Sequence, residues 1–165
     1  DPETSAEILN EYLTKMTHIA HKYNATVDKF LGDGIMIMFG APVSMTPALQ
    51  VDNAIKMAIE MQKEFKELNK SWNAYLNGNT LHLRIGIHCG IATVGSFGPQ
   101  ERLSFTAIGK TVNIASRLEQ ICEPDSILIS YDVKQLAPNL PAKEAISINL
   151  KGIEKPIETY RIAVN

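Results

Sequence analysis

Residues 26–39 read TVDKFLGDGIMIMF, two runs of strand-forming residues separated by only Gly32 and Asp33. A two-residue connection forces its flanking strands to lie antiparallel and adjacent, and a leading glycine suits a type II′ turn. The spacing therefore predicts a β-hairpin with strands at 26–31 and 34–39. The second strand, with Ile35, Met36, Ile37, Met38 and Phe39 in a row, is apolar enough to be buried. Charge crowds the same place: Asp28, Lys29 and Asp33 stand beside the buried strand, where a surface turn usually carries neutral polar residues.

The flanking segments have helical periodicity. Asp1-Pro2-Glu3 is a helix start, a capping carboxylate with proline in the first turn, followed by Ile8, Tyr12, Met16, Ile19 and Tyr23 at helical spacing. After Pro47, residues Val51, Ile55, Ala58, Met61, Phe65 and Leu68 keep to one face of a second long helix. Leu81, Leu83, Ile85 and Ile87 then alternate with His82, Arg84, Gly86 and His88, which predicts a half-buried strand with Arg84 on its polar face.

Beyond a turn at Cys89-Gly90, strands are expected at 91–97 and 104–108. A helix follows from near Thr111, whose hydroxyl can cap it, with Val112, Ala115, Leu118 and Ile121 as its apolar stripe. Strands at 126–130, 145–150 and 157–164, with a short helix at 131–137, complete the chain. The order helix, strand, strand, helix, strand gives an α+β class: a ferredoxin-like βαββαβ core with extra C-terminal strands and its opening strand missing from this chain.

Length and charge narrow the functions available. The 165 residues, 45% of them apolar, suit one domain spanning 1–165. A net charge of −2 without a Lys/Arg cluster argues against nucleic acid and anionic membranes as partners. No apolar run approaches the roughly 20 residues that a spanning helix needs. Cys89 and Cys122 stand far apart without metal-ligand spacing, which fits a reducing cytoplasm.

Several residues admit a chemical reading beside a structural one. Asp33, in the Gly32-Asp33-Gly34 turn, is either ordinary turn chemistry or a hard-cation ligand, since Mg²⁺ takes carboxylates together with phosphate oxygens. Lys29 either snorkels past its apolar neighbours or offers its ammonium to a ligand acceptor. Asn113 and Arg117, four apart on one helix face, are either a solvated pair or a clamp for a sugar oxygen and a phosphate. His82 and His88 lack partners at triad or zinc spacing, and Cys89 reads as a small packing residue.

Three separated stretches, VDKFLGDGIMIMFGAP, LRIGIHCGIATVGSFG and ERLSFTAIGKTVNIASRLE, together resemble the catalytic domain of class III nucleotidyl cyclases, in the bacterial adenylate cyclase branch. The resemblance implies conversion of ATP to 3′,5′-cyclic AMP and pyrophosphate. It also implies two divalent cations, Mg²⁺ or Mn²⁺, and sites formed between the subunits of a head-to-tail homodimer. It gives Asp33 to a metal, Lys29 and Thr106 to adenine, Asn113 to the ribose, Arg117 to the α-phosphate and Arg84 to the terminal phosphates.

Chemistry agrees with the adenine assignment. Adenine N1 accepts a hydrogen bond from an ammonium, whereas guanine N1 carries a hydrogen that opposes one, so Lys29 favours ATP. A hydroxyl such as that of Thr106 can both donate and accept.

The family's second metal-binding Asp lies on its opening strand, in a segment resembling Phe-x-Asp-Ile-x-Gly-Phe-Thr, expected upstream of Asp1. Lys110 stands where an acidic residue is common, read as a loop change of small consequence. Ile153 replaces a family lysine, leaving Lys155 as a candidate to reach phosphate. Two other cyclase-fold readings stay open, a nucleotide-holding dimerisation module without turnover and a guanylate cyclase. An RNA-binding sheet would need exposed stacking aromatics and a basic face, which the sequence lacks.

Overall fold

Asp1 caps the first helix as its sequence predicts. In the computed structural model, which describes residues 1–164 and so leaves the final Asn165 outside, its carboxylate accepts from the Thr4 amide at 3.0 Å. Caps of this type contribute about 1 kcal/mol. The helix, α1 (Pro2–Lys22), buries Met16, Ile19 and Ala20. After it come the hairpin strands β1 (Thr26–Leu31) and β2 (Gly34–Met38), then α2 (Pro47–Trp72), capped by the Thr46 hydroxyl. Met57, Met61, Phe65, Leu68 and Trp72 of α2 join the buried side of α1 in one apolar cluster.

The hairpin forms as expected, with Leu31 opposite Gly34 and a φ of +65° at Gly32. One feature departs from the expected alternation. Val27 lies opposite Ile37 and Lys29 opposite Met36, so Asp28 has no partner in the ladder. This β-bulge bends β1 and re-aims the extra side chain.

The remaining elements are β3 (Arg84–Ile87), β4 (Thr93–Phe97), β5 (Ser104–Ile108), α3 (Lys110–Ile121), β6 (Ser126–Ser130), α4 (Tyr131–Leu136), β7 (Lys143–Glu144) and β8 (Thr159–Ile162). They sort into two further sheets. β4 and β5 make a second antiparallel hairpin, while β3, β6, β8 and β7 form a sheet in that order, parallel between β3 and β6 and antiparallel elsewhere.

Among the described residues, β2 pairs only with β1 and β3 only with β6. Yet Ile35 and Ile37 of β2 and Ile85 of β3 pack on the same α1–α2 cluster. The two sheets thus lie over one helical layer with no ladder between them.

Several expectations need correction. The strand predicted across 81–88 is confined to Arg84–Ile87, because side chains take up the backbone groups just ahead of it. Leu81 exchanges hydrogen bonds with Asn69, and the Leu83 amide donates to Asp125. Thr111 does not cap α3: its hydroxyl donates to the Ile91 carbonyl at 2.6 Å, and the cap position is Gly109. Ile114, outside the expected stripe, is the residue of α3 buried alongside Leu118. The strand predicted at 145–150 reduces to a single bridge between Ile148 and Ile157.

His82 and His88 each have a partner within the fold. His82 Nδ1 lies 2.7 Å from an Asp125 carboxylate oxygen on the surface, and His88 Nδ1 lies 2.7 Å from the hydroxyl of buried Ser130. Desolvation pushes the His88 pKa below its ordinary value, with the Asp132 carboxylate opposing the shift.

The unfolded chain therefore binds the proton more readily than the folded one. Stability associated with His88 is present above the unfolded pKa, near 6.5, and is lost as pH falls through the lower folded value. The thermal midpoint is expected to drop between about pH 7.5 and pH 5.5, and to drop less in His88→Gln. Identical pH profiles in the two proteins would remove His88 as the cause.

α3 reaches β3 through Gly86. A Cβ there would stand 2.3 Å from the Glu119 amide nitrogen and 2.7 Å from the Ala115 carbonyl oxygen, both rigid backbone atoms. Gly86→Ala is expected to push α3 off the sheet and cost about 1–3 kcal/mol in denaturant unfolding, the usual range for overpacking. An unchanged midpoint would show that the helix can shift at little cost.

Candidate functional site

The bulge gives Asp28 its place. Its side chain is only 1% exposed, and one carboxylate oxygen, Oδ2, accepts from both the Thr106 hydroxyl at 2.6 Å and the Ala107 amide at 3.2 Å. The other oxygen, Oδ1, lies 3.8 Å from the Lys29 ammonium. A carboxylate on β1 therefore holds β5 through side-chain hydrogen bonds in place of a strand ladder. It also gathers Lys29 and Thr106, far apart in sequence, around one point. Thr106 is buried, whereas Lys29 remains partly open to solvent.

Asp28 was not among the residues expected at the site. The one signal in the sequence was an aspartate inside a strand, where this residue type is depleted.

Asp33 is exposed on the β1–β2 turn. Its charge is felt on α1, where burial first, and then the carboxylates of Asp33 and Glu119, push the Tyr12 phenol up to about 12. Among the described residues, no three His, Cys, Asp or Glu side chains converge as a self-sufficient metal cage. Asp33, an exposed carboxylate, fits the other mode of binding, in which Mg²⁺ keeps its waters and takes one or two carboxylates together with a ligand's phosphates.

Asn113 and Arg117 come together as their spacing predicts, on the solvent side of α3. They line an open concavity of about 320 Å³ whose walls include Lys110, Gln120, Lys151 and Ile153. Its lining carries three cations, Lys110, Arg117 and Lys151, and no carboxylate. A concave surface charged with one sign focuses its field on an anion of the opposite sign.

Two lysines outside the expected site line this concavity. Lys110 is part of this concavity, and its ammonium donates to the Gly152 carbonyl at 3.1 Å, tying the start of α3 to the turn after Leu150. Lys151, not Lys155, is the lysine of that turn that lines the concavity. Neither was legible beforehand, because it is the turn's docking against α3 that brings them to Arg117.

The candidate residues thus fall into separate groups. Lys29 and Thr106 meet at Asp28, and Asn113 meets Arg117. Asp33 sits on its turn, and Arg84 is exposed at the start of β3; neither lines the α3 concavity.

The family model described as the adenylate and guanylate cyclase catalytic domain matches residues 1–164. Adenylate cyclase 1 of Rhizobium meliloti is 36% identical over 119 residues, covering 72% of this chain and 17% of the relative. Across the first three curated relatives the chain spans 33% or less of their length.

The crystal structure of the adenylyl cyclase CyaB from P. aeruginosa superposes with a TM-score of 0.92 at 38% identity, covering all of this chain and 85% of that one. The guanylyl cyclase Cya2 superposes with a TM-score of 0.90 at 29% identity, covering 100% of this chain and 83% of that one.

Proposed function

The chain belongs to the adenylate and guanylate cyclase catalytic domain family, and from that premise we propose that it forms 3′,5′-cyclic AMP and pyrophosphate from ATP, in sites shared between two head-to-tail copies. The observation that carries this reading is the division of the candidate residues. A base-sized set, Lys29 and Thr106, gathers at Asp28, while the cationic set around Arg117 lies in a concavity that neither of them lines. In this reading a head-to-tail pair completes each site with residues from both copies.

In this reading the Lys29 ammonium donates to adenine N1 and Thr106 meets the adenine edge. Asn113 orients the ribose so that its 3′-oxygen faces the α-phosphorus. Arg117 lies where charge builds on the α-phosphate as that oxygen attacks, and a donor aimed at developing charge commonly contributes about 10²- to 10³-fold in rate. Lys110 and Lys151 add positive charge beside it. Arg84 is assigned to the terminal phosphates that leave as pyrophosphate.

Asp33 is assigned to a divalent cation, Mg²⁺ or Mn²⁺, and two such ions would lower the pKa of the attacking hydroxyl and neutralise the departing charge. A second carboxylate is expected from a strand between the free edges of β2 and β3, where it would also join the two sheets.

A second reading, open from the sequence, is a module that holds nucleotide without turnover. The two readings separate on product formation by the full-length protein with ATP and Mn²⁺. Cyclic AMP sustains the first, and bound but unchanged ATP the second.

For the shared site, Lys29→Ala and Arg117→Ala are each expected to lose at least about 10²-fold in rate. Mixing the two inactive proteins is expected to restore roughly a quarter of wild-type activity, since half of the dimers are mixed and each of these keeps one intact site. Two variants that stay inactive when mixed, under conditions where subunits exchange, would show that Lys29 and Arg117 are not supplied to a site by different copies.

A further inference from the structure

Thr106 is ambiguous when taken alone, because a hydroxyl has one proton to give and lone pairs with which to accept. Its neighbours remove the ambiguity. Asp28 Oδ2 already accepts from the Ala107 amide at 3.2 Å, a group that can only donate, and the Thr106 hydroxyl lies 2.6 Å from the same oxygen. The proton of Thr106 therefore points at Asp28, and only its lone pairs remain for a ligand.

The two purines differ at the atom such a group would meet. Adenine carries an amino donor at position 6, whereas guanine carries a carbonyl acceptor. A hydroxyl whose proton is committed can accept from the amino group but meets the carbonyl lone pair to lone pair. We propose that Asp28 is a positioning residue for base selection: by holding the Thr106 proton it makes Thr106 an acceptor, and so turns a neutral hydroxyl into a discriminator for adenine over guanine. This rests on the reading of Lys29 and Thr106 as the base-recognition pair.

The geometry supports a dedicated role. Asp28 is the residue that the bulge lifts out of the β1–β2 ladder, its side chain is 1% exposed, and its contacts reach both members of that pair. A residue needed only to join two hairpins would have no cause to commit the hydroxyl that faces the base.

The test is a comparison of kcat/KM for ATP and GTP in the full-length protein. It covers wild type, Asp28→Ala, Thr106→Val and the double variant, with the thermal midpoint of each. Asp28→Ala is expected to raise the GTP-to-ATP ratio about tenfold, the scale of discrimination that one mispaired polar contact supplies. In the Thr106→Val background the same change is expected to leave the ratio where it is, because Asp28 acts through that hydroxyl.

A purely structural Asp28 would lower both rates together. An unchanged ratio, or an effect that persists without the hydroxyl, overturns the proposal. Should Asp28→Ala fail to fold, Asp28→Asn decides. It keeps the acceptor for Ala107 but holds the Thr106 proton about half as strongly, so the ratio should rise a few-fold, and a ratio equal to wild type overturns the inference.

Lys29→Ala separates this outcome from failure of the underlying reading. If neither Lys29→Ala nor Thr106→Val moves the ratio, the base is not recognised at this cluster and both ideas fall. If those two move it and the Asp28 variants do not, only the role of Asp28 is lost.

Discussion

A carboxylate with 1% of its side chain exposed has to be satisfied by its neighbours, since an unpaired buried charge is among the most destabilising things a fold can contain. Asp28 meets that demand with a hydroxyl, a backbone amide and a nearby ammonium, drawn from two different hairpins. The two hairpins belong to separate sheets, and these side-chain bonds join β1 to β5 where no ladder does. The placement of Lys29 relative to Thr106 depends on this junction.

The α3 side is held by a different kind of force. Gly86 lets the backbone of α3 lie directly on β3, and Leu118, fully buried, fills the space beneath. That contact is steric and short-ranged, so it fixes the helix without spending any polar group on it. The outward face stays free to carry Asn113, Arg117 and Lys110, and the bond from Lys110 to the Gly152 carbonyl brings Lys151 into the same concavity. One half of the candidate site is therefore organised by a buried charge, the other by close packing beneath exposed charges.

These differences explain which expectations were met. Helices α1 and α2 follow from apolar periodicity sustained over several turns, and the first hairpin from a two-residue loop that leaves little geometric choice. β3 proved shorter than its alternating pattern because Asn69 and Asp125, distant in the chain, take the backbone groups of Leu81 and Leu83. Thr111 looked like a helix cap, but the helix begins at Lys110 with Gly109 at the cap position, and the Thr111 hydroxyl donates to the Ile91 carbonyl of a neighbouring loop. At β3 a long-range partner outcompeted a local preference.

The sequence by itself determined the α+β class, the hairpin with Asp33 at its turn, and the pairing of Asn113 with Arg117 on one helix face. Each of these rests on spacing along a single element, which the periods of strands and helices convert directly into geometry. Only the tertiary structure decided that Asp28 joins Lys29 to Thr106, that Lys110 and Lys151 flank Arg117, and that β2 and β3 share a helical layer without pairing. Those facts depend on which surfaces meet when separate elements pack, and local periodicity carries no record of contacts between residues as far apart as 28 and 106.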